Sequence, residues 1–459
     1  MKTYKGLIPE PAVRNYFEHK VQLQKSSPFS RAKLETYEKY GYLTKVEPIV
    51  KDNKNWRCTR CRNEDPLQFV RFNCARCKKV CMYCRHCINM GRISSCTTLY
   101  IWTRPSRKIK HKHTFEWQGQ YTKAQEKAAW ELKESLLVGR PHLLHAVCGA
   151  GKTEILFPAI FALLQRGDNV ALATPRTDVV LELAPRLKAV FPNTSIHALY
   201  GGAPKRGGTP QLTITTTHQL YKFYEAFDAI IVDEADAFPY TYDISLQRAV
   251  MKAKKSHAPV AIVTATPNLE QVTEAKRHGG YSFIPRRYHG YKLPVPRTSP
   301  LFNYSKKILK GSIPQKLRRW TEEQLSEARP FLIFFPEIDL MEKALPLFQK
   351  LHPDILSVHA EDPERKAKVM QLRNEEVPGL LTTTILERGI TIKNVQVAVV
   401  GAENKIFTDS ALIQIAGRVG RNKDFHDGDV VFFHHGLSVE IDSAIRQIKA
   451  LNEVEVLES

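Results

Sequence analysis

From residue 114 onward, short apolar runs alternate with amphipathic stretches, and this alternation restricts the fold more than any other feature. PHLLHAV (141–147), NVALATP (169–175), LTITTT (212–217), FDAIIVDE (227–234) and PVAIVTAT (259–266) have the length and apolar content of buried strands. KAQEKAAWELKESLL and DVVLELAPRLKAVF, which lie among them, read as amphipathic helices. A second series holds RPFLIFFP (329–336), DILSVHA (354–360), GLLTTT (379–384), VQVAVVG (395–401) and DVVFFHH (429–435). Strand and helix in alternation predict an α/β fold of parallel sheets with crossover helices. The intervening stretch is rich in proline and bases and reads as a linker over 291–316. The expected domains are a basic region over 1–50, a cysteine-rich module over 51–100, a first lobe over 101–290 and a second over 317–459.

The cysteine-rich module is the next constraint. NCARCKKVCMYCRHC (73–87) follows Cys58 and Cys61 and precedes Cys96, so eight of the chain's 9 cysteines lie there. Disulfide scaffolds belong to small secreted chains with too little core. This chain has 459 residues and is 43% hydrophobic, enough to bury substantial cores. No apolar segment follows MKTYKGLIPEPAVR, and no run reaches the roughly eighteen residues of a membrane span. The expected compartment is the reducing cytosol, where clustered thiols favour a metal. Repeated C-x₂-C pairs suit tetrahedral Zn²⁺. Several pairings are open: Cys58 and Cys61 can close a site with Cys74 and Cys77, or with Cys84 and Cys87. The second choice leaves Cys74, Cys77, Cys81 and Cys96 for another ion. An iron–sulfur centre takes the same four thiolates, and the paired spacing is what favours zinc.

Net charge is +21. Residues 51–100 hold eleven Lys/Arg against three Asp/Glu, and RPSRKIKHK (104–112) adds five more bases. The cysteine module is therefore a basic module, suited to a polyanion.

AVCGAGKTE (146–154) follows one apolar run and opens the helical stretch TEILFPAIFALL, the position of a phosphate loop. Gly149 and Gly151 let backbone N–H groups wrap phosphate, Lys152 reaches the β- and γ-phosphates, and Thr153 ligates Mg²⁺. VDEAD (232–236) ends another strand. Alone it reads as an acidic turn; after a phosphate loop, Asp233 holds Mg²⁺ and Glu234 orients or deprotonates the attacking water. In QIAGRVGR (414–421), Arg418 and Arg421 lie three apart on one helical face and can serve as arginine fingers.

In order, AVCGAGKTE, TPRTDVV, TTTHQL, VDEAD, TAT (264–266), LIFFP (332–336), TTTILERG (382–389) and QIAGRVGR resemble superfamily 2 helicases and translocases. WQGQYTKAQEKAA (117–129) resembles the Q motif, whose glutamine, here Gln125, reads the adenine edge. More narrowly, YCRHCINMGR (83–92), ATPRTDVVLELAPRLKA, DAFPY and TTTILERGITI resemble the late-competence DNA-uptake ATPase family (ComFA-type). That family joins two RecA-like lobes to an N-terminal four-cysteine zinc module.

The resemblance implies zinc on Cys58, Cys61, Cys84 and Cys87, with a second ion on Cys74, Cys77, Cys81 and Cys96 left open. It implies ATP and Mg²⁺ at Lys152, Thr153, Asp233 and Glu234, and coupling through Thr264 and Thr266. Single-stranded DNA is expected on Arg176, Thr177, Thr216 and Thr217 of one lobe and Thr383 and Thr384 of the other. Such groups suit phosphate and sugar and do not read bases. The implied activity is an ATP-dependent single-stranded DNA translocase that draws transforming DNA through a membrane channel, working with other competence proteins. The implied place is the cytoplasm, at the inner face of the membrane. Two alternatives stand beside it: a replication-restart-type helicase, in which zinc knuckles interrupt the second lobe, and a zinc-dependent nucleic-acid-binding scaffold with weak ATPase. The module itself is a clamp for the strand or a docking surface for a protein. On this reading, Cys58→Ser with Cys84→Ser unfolds only the N-terminal module.

Overall fold

The computed structural model describes residues 7–52, 55–104, 111–204, 210–386 and 392–454. Residues 105–110 of the basic run and 387–391 of TTTILERGITI lie outside the described residues.

Both apolar series form sheets. The first has seven strands, in the order Ile196–Leu199, Leu212–Thr216, Val170–Thr174, Ala229–Val232, Val260–Thr264, His142–Ala146 and Tyr281–Ile284. Val170–Thr174 pairs in parallel with both neighbours, Thr216 opposite Thr174 and Val232 opposite Ala173. The three strands therefore deliver their following loops to one edge, where α/β folds place functional residues. These interior strands are buried along their full length, which explains their unbroken apolar runs.

The second sheet has six strands, in the order Arg297–Pro300, Val430–His434, Gln396–Val400, Phe331–Phe334, Gly379–Thr382 and Leu356–Val358, all parallel. The chain packs as two compact units. One comprises the residues up to Tyr121 with Glu126–Leu144 and Thr153–Ser282; the other comprises Thr122–Gln125, His145–Lys152 and the residues from Phe283 onward.

Two expectations differ from the structure. The stretch 291–316 contains the strand Arg297–Pro300, in register with Val430–His434, and the helix Tyr304–Leu309, whose Ile308 is buried in the second core. Proline disguised this strand, yet its edge position tolerates one. Of the expected region 1–50, the described residues 7–50 are likewise no separate region. Val21–Leu23 and Leu43–Val46 flank Leu99–Trp102 in one antiparallel sheet. The cysteine hairpins Ile49–Asp52/Asn55–Cys58 and Phe69–Asn73/Val80–Cys84 are inserted within it. Their cysteines share a core with the first large sheet: Cys58, Cys61, Cys84 and Cys87 pack in one cluster with Leu220, Tyr221, Ile230, Val232 and Leu246.

Candidate nucleotide site and metal centres

The strand His142–Ala146 ends in a loop that opens the helix Lys152–Gln165. Gly149 and Gly151 have φ of +82° and +71°, the left-handed region that a side chain disfavours. These turns suit backbone N–H groups to an anion at the helix start. Lys152 Nζ donates to Ala146 O at 3.2 Å, and Thr153 is the next residue of the helix. Gln125 braces the loop: its Nε2 donates to Ala150 O at 2.9 Å while its Oε1 accepts from Thr122 N at 2.9 Å. Its amide thus has a part in holding the loop that the sequence did not reveal.

Asp233 follows the strand Ala229–Val232, is 5% exposed, and anchors its N–H on Ala173 O at 2.8 Å. Glu234 turns back with φ +53°, its N–H donating to Asp233 Oδ1 at 2.8 Å. That conformation costs about 1–2 kcal/mol for a non-glycine residue, and such strain collects at functional sites. Glu234 Oε2 is buried without a hydrogen-bond partner among the described residues. Thr266 Oγ1 donates to Asp236 Oδ2 at 2.8 Å, and Thr266 N to Thr264 Oγ1 at 3.1 Å. Both threonines expected to act in coupling thus join the acidic turn.

The helix Asp409–Ala416 stops before the two arginines, so they occupy a turn and not a helical face. Gly417 caps the helix and Gly420 has φ +72°. Arg418 is 3% exposed, and Arg421 Nε donates to Gly417 O at 2.9 Å. Cys148 Sγ donates to Gln414 Oε1 at 2.8 Å, and a Cβ added at Gly417 would lie 2.6 Å from Cys148 Cβ. The phosphate loop and the arginine segment are therefore packed together in the second unit.

The expected strand contacts differ in accessibility. Arg176 and Thr177, at the start of the helix Thr177–Val190, keep partial exposure, as does Thr384. Thr216, Thr217 and Thr383 are buried, and the Thr217 hydroxyl is wholly enclosed, which leaves little of them open to a strand. Packing of Leu220 and Tyr221 into the core draws the Thr217 turn inward.

Two cysteine groups assemble. Cys58, Cys61, Cys84 and Cys87 form one and Cys74, Cys77, Cys81 and Cys96 the other, each with its sulfurs within 4.8 Å. In the first, Cys58 and Cys87 Sγ are 3.8 Å apart, and Cys61 and Cys84 Sγ 3.7 Å. Four thiolates at the ~2.3 Å Zn–S distance sit about 3.8 Å from one another, so the group fits tetrahedral zinc. In the second, Cys74 and Cys96 Sγ are 3.7 Å apart and Cys77 and Cys81 Sγ 3.2 Å. Backbone N–H groups of Cys77 and Arg76 bring the Cys74 thiol down to about 6, favouring thiolate.

Several anchors of the first group carried no sequence signal. Arg60, 4% exposed, donates to Cys87 O and, at 2.9 Å, to Met90 O. Lys252 donates to Arg60 O and, at 2.7 Å, to Tyr221 O; burial first, then Arg62, pushes it down to about 7. His86 Nε2 lies 2.9 Å from Tyr221 Oη and 2.6 Å from Ser245 Oγ. These contacts pin the module to the short helix Thr217–Lys222.

Residues 8–101 match the N-terminal domain of competence protein ComFA, 122–275 the DEAD/DEAH box helicase family, and 304–423 the helicase conserved C-terminal domain. Competence protein ComFA of Bacillus subtilis is 44% identical over 427 residues, covering 93% of this chain and 92% of that protein. Its namesake in Streptococcus pneumoniae is 39% identical over 378 residues, covering 81% and 86%. Among solved structures, S. cerevisiae Dbp5 bound to RNA and ADP BeF3 superposes with a TM-score of 0.54 at 15% identity, over 73% of this chain and 89% of that one. That likeness is one of fold. The helicase domains make the chain a helicase-type ATPase that uses ATP and Mg²⁺ and binds nucleic acid. Among the described residues no helix is long and apolar enough to cross a membrane.

Proposed function

The chain belongs to the ComFA family of competence proteins, and from that premise we propose that it is an ATP-driven translocase on single-stranded DNA that powers uptake of transforming DNA. The observation carrying the proposal is the buried turn in which Asp233 is anchored on the central strand and Glu234 is held in a strained conformation with an unpaired oxygen. Such a turn suits a Mg²⁺ ligand beside a group that orients water. Lys152 and Thr153 would hold the triphosphate and its metal, Gln125 would read adenine while bracing the loop, and Arg418 and Arg421 would stabilise the transferred phosphoryl group. Arg176, Thr177 and Thr384 would meet the strand backbone, while buried Thr216, Thr217 and Thr383 would shape their own turns.

Zinc on Cys58, Cys61, Cys84 and Cys87 would make the basic module a rigid clamp on the entering strand. The excess of basic residues in the module supports that role, and the bond of His86 to Tyr221 holds it against the first unit. Cys74, Cys77, Cys81 and Cys96 would hold a second ion. The working place would be the inner face of the membrane, beside a DNA channel and other competence proteins.

The deciding experiment is ATP turnover by the full chain with single-stranded DNA, duplex DNA and RNA, alongside Lys152→Ala. Stimulation by single-stranded DNA, lost in the variant, is expected. Turnover indifferent to single-stranded DNA, or retained without Lys152, would end the translocase reading.

A further inference from the structure

Arg287 follows the strand Tyr281–Ile284, and although it is charged it is 2% exposed and among the largest buried side chains. Its stem lies along the phosphate loop: a Cβ added at Gly149 would be 3.5 Å from Arg287 Cγ and 3.7 Å from Cδ. The backbone beside it is fixed to the same glycine, Tyr288 N donating to Gly149 O at 3.0 Å. At its tip, Nη1 donates to Gly420 O, in the turn between Arg418 and Arg421. Nε and Nη2 find no hydrogen-bond partner among the described residues.

The surroundings do not neutralise this charge. Burial, and then the neighbouring Arg421 cation, push the Arg287 guanidinium down to about 10, with only the Cys148 thiol favouring the charged form. An unpaired guanidinium in the interior is destabilising, and its unmade hydrogen bonds add to that. Such a group persists where an anion completes it. The anion that belongs at a phosphate loop is a nucleotide's polyphosphate, and a guanidinium offers it two parallel N–H donors.

We propose that Arg287 is a further phosphate ligand of bound ATP, acting through Nε and Nη2, and that its bond to Gly420 ties the arginine turn to the nucleotide. The proposal rests on the ATPase assignment. One side chain then touches the phosphate loop along its stem, the phosphate with two donors and the arginine turn with the third. We assign the contact to the terminal phosphate, so ATP is sensed and ADP is not.

The test uses the full chain and the neutral variant Arg287→Met, with fluorescent AMP-PNP and ADP as probes. Losing a charge-assisted hydrogen bond should weaken AMP-PNP binding about tenfold to a hundredfold, leaving ADP binding within about twofold. Removing an unpaired buried charge should leave the nucleotide-free Tm unchanged or raised. A purely structural arginine would give the opposite pattern: a lowered Tm with AMP-PNP binding intact, which overturns the proposal. Equal weakening of AMP-PNP and ADP overturns the terminal-phosphate assignment. Should Arg287→Met fail to fold, Arg287→Lys keeps stem and charge but cannot reach both Gly420 and a phosphate; selective loss of AMP-PNP binding supports the proposal and unchanged binding overturns it. Lys152→Ala separates the two readings. If it binds both nucleotides like the unaltered chain, the ATP site itself is misassigned; if it loses them while Arg287→Met does not, only the role of Arg287 falls.

Discussion

His142 shows how a single buried ring sets a pH limit. Its nitrogens lie 3.0 Å from Ser135 Oγ and 3.0 Å from Ser282 Oγ. Ser282 donates its proton to Glu131 Oε2, so Nε2–H donates to Ser282 and Nδ1 accepts from Ser135. Burial, helped by Arg140, lowers the ring from 6.5 to about 4. The folded pKa lies below the unfolded one, so the unfolded chain takes up the proton first. The contribution is complete above pH 6.5 and is lost as pH falls towards 4. The first unit's urea midpoint should drop across that window, by at most about 3 kcal/mol in stability. His142→Gln should flatten that component; an identical pH profile in the variant would remove His142 as its source.

At the scale of elements, the cysteine hairpins are part of the first unit's core. Independent unfolding of the module, the expectation from sequence, conflicts with a cluster that joins Cys58, Cys61, Cys84 and Cys87 to Leu220, Tyr221 and Ile230. Zinc extraction, or Cys58→Ser with Cys84→Ser, should therefore lower the first unit's Tm and its ATP turnover together. A melt in which the hairpins unfold alone, with turnover intact, would contradict the shared core. The second group lies nearer the surface, with Cys77 and Cys96 only partly buried. On the proposed occupancy of both groups, Cys77→Ser with Cys81→Ser should take the metal content from two ions to one while shifting Tm far less.

For the whole molecule, a net charge of +21 and the proposed strand contacts of Arg176, Thr177 and Thr384 predict binding governed by phosphate. Affinity for single-stranded DNA should be nearly the same for mixed and homopolymeric sequences. It should fall with salt at a log–log slope of about −0.7 for each phosphate neutralised. Fluorescence anisotropy across a salt series measures this, and a flat dependence would detach the charge from strand binding.

Much of the fold and the candidate site was legible because its signals are local. A buried strand shows as a short apolar run, and AVCGAGKTE, VDEAD and QIAGRVGR each hold their chemistry within nine residues. Spacing showed the C-x₂-C pairs but left their partners open; the family resemblance implied Cys58, Cys61, Cys84 and Cys87 as one group, and the folded hairpins bring those four together. The edge strand Arg297–Pro300 was hidden by proline, and the turn after Ala416 by a helical period that two glycines interrupt. What only the folded chain decided is which remote groups meet. Cys148 reaches Gln414 across 266 residues, Arg287 reaches Gly420 across 133, and His86 reaches Tyr221 across 135. Those meetings follow from how crossover helices and inserted hairpins stack on the sheets, and no window of neighbouring residues contains that information.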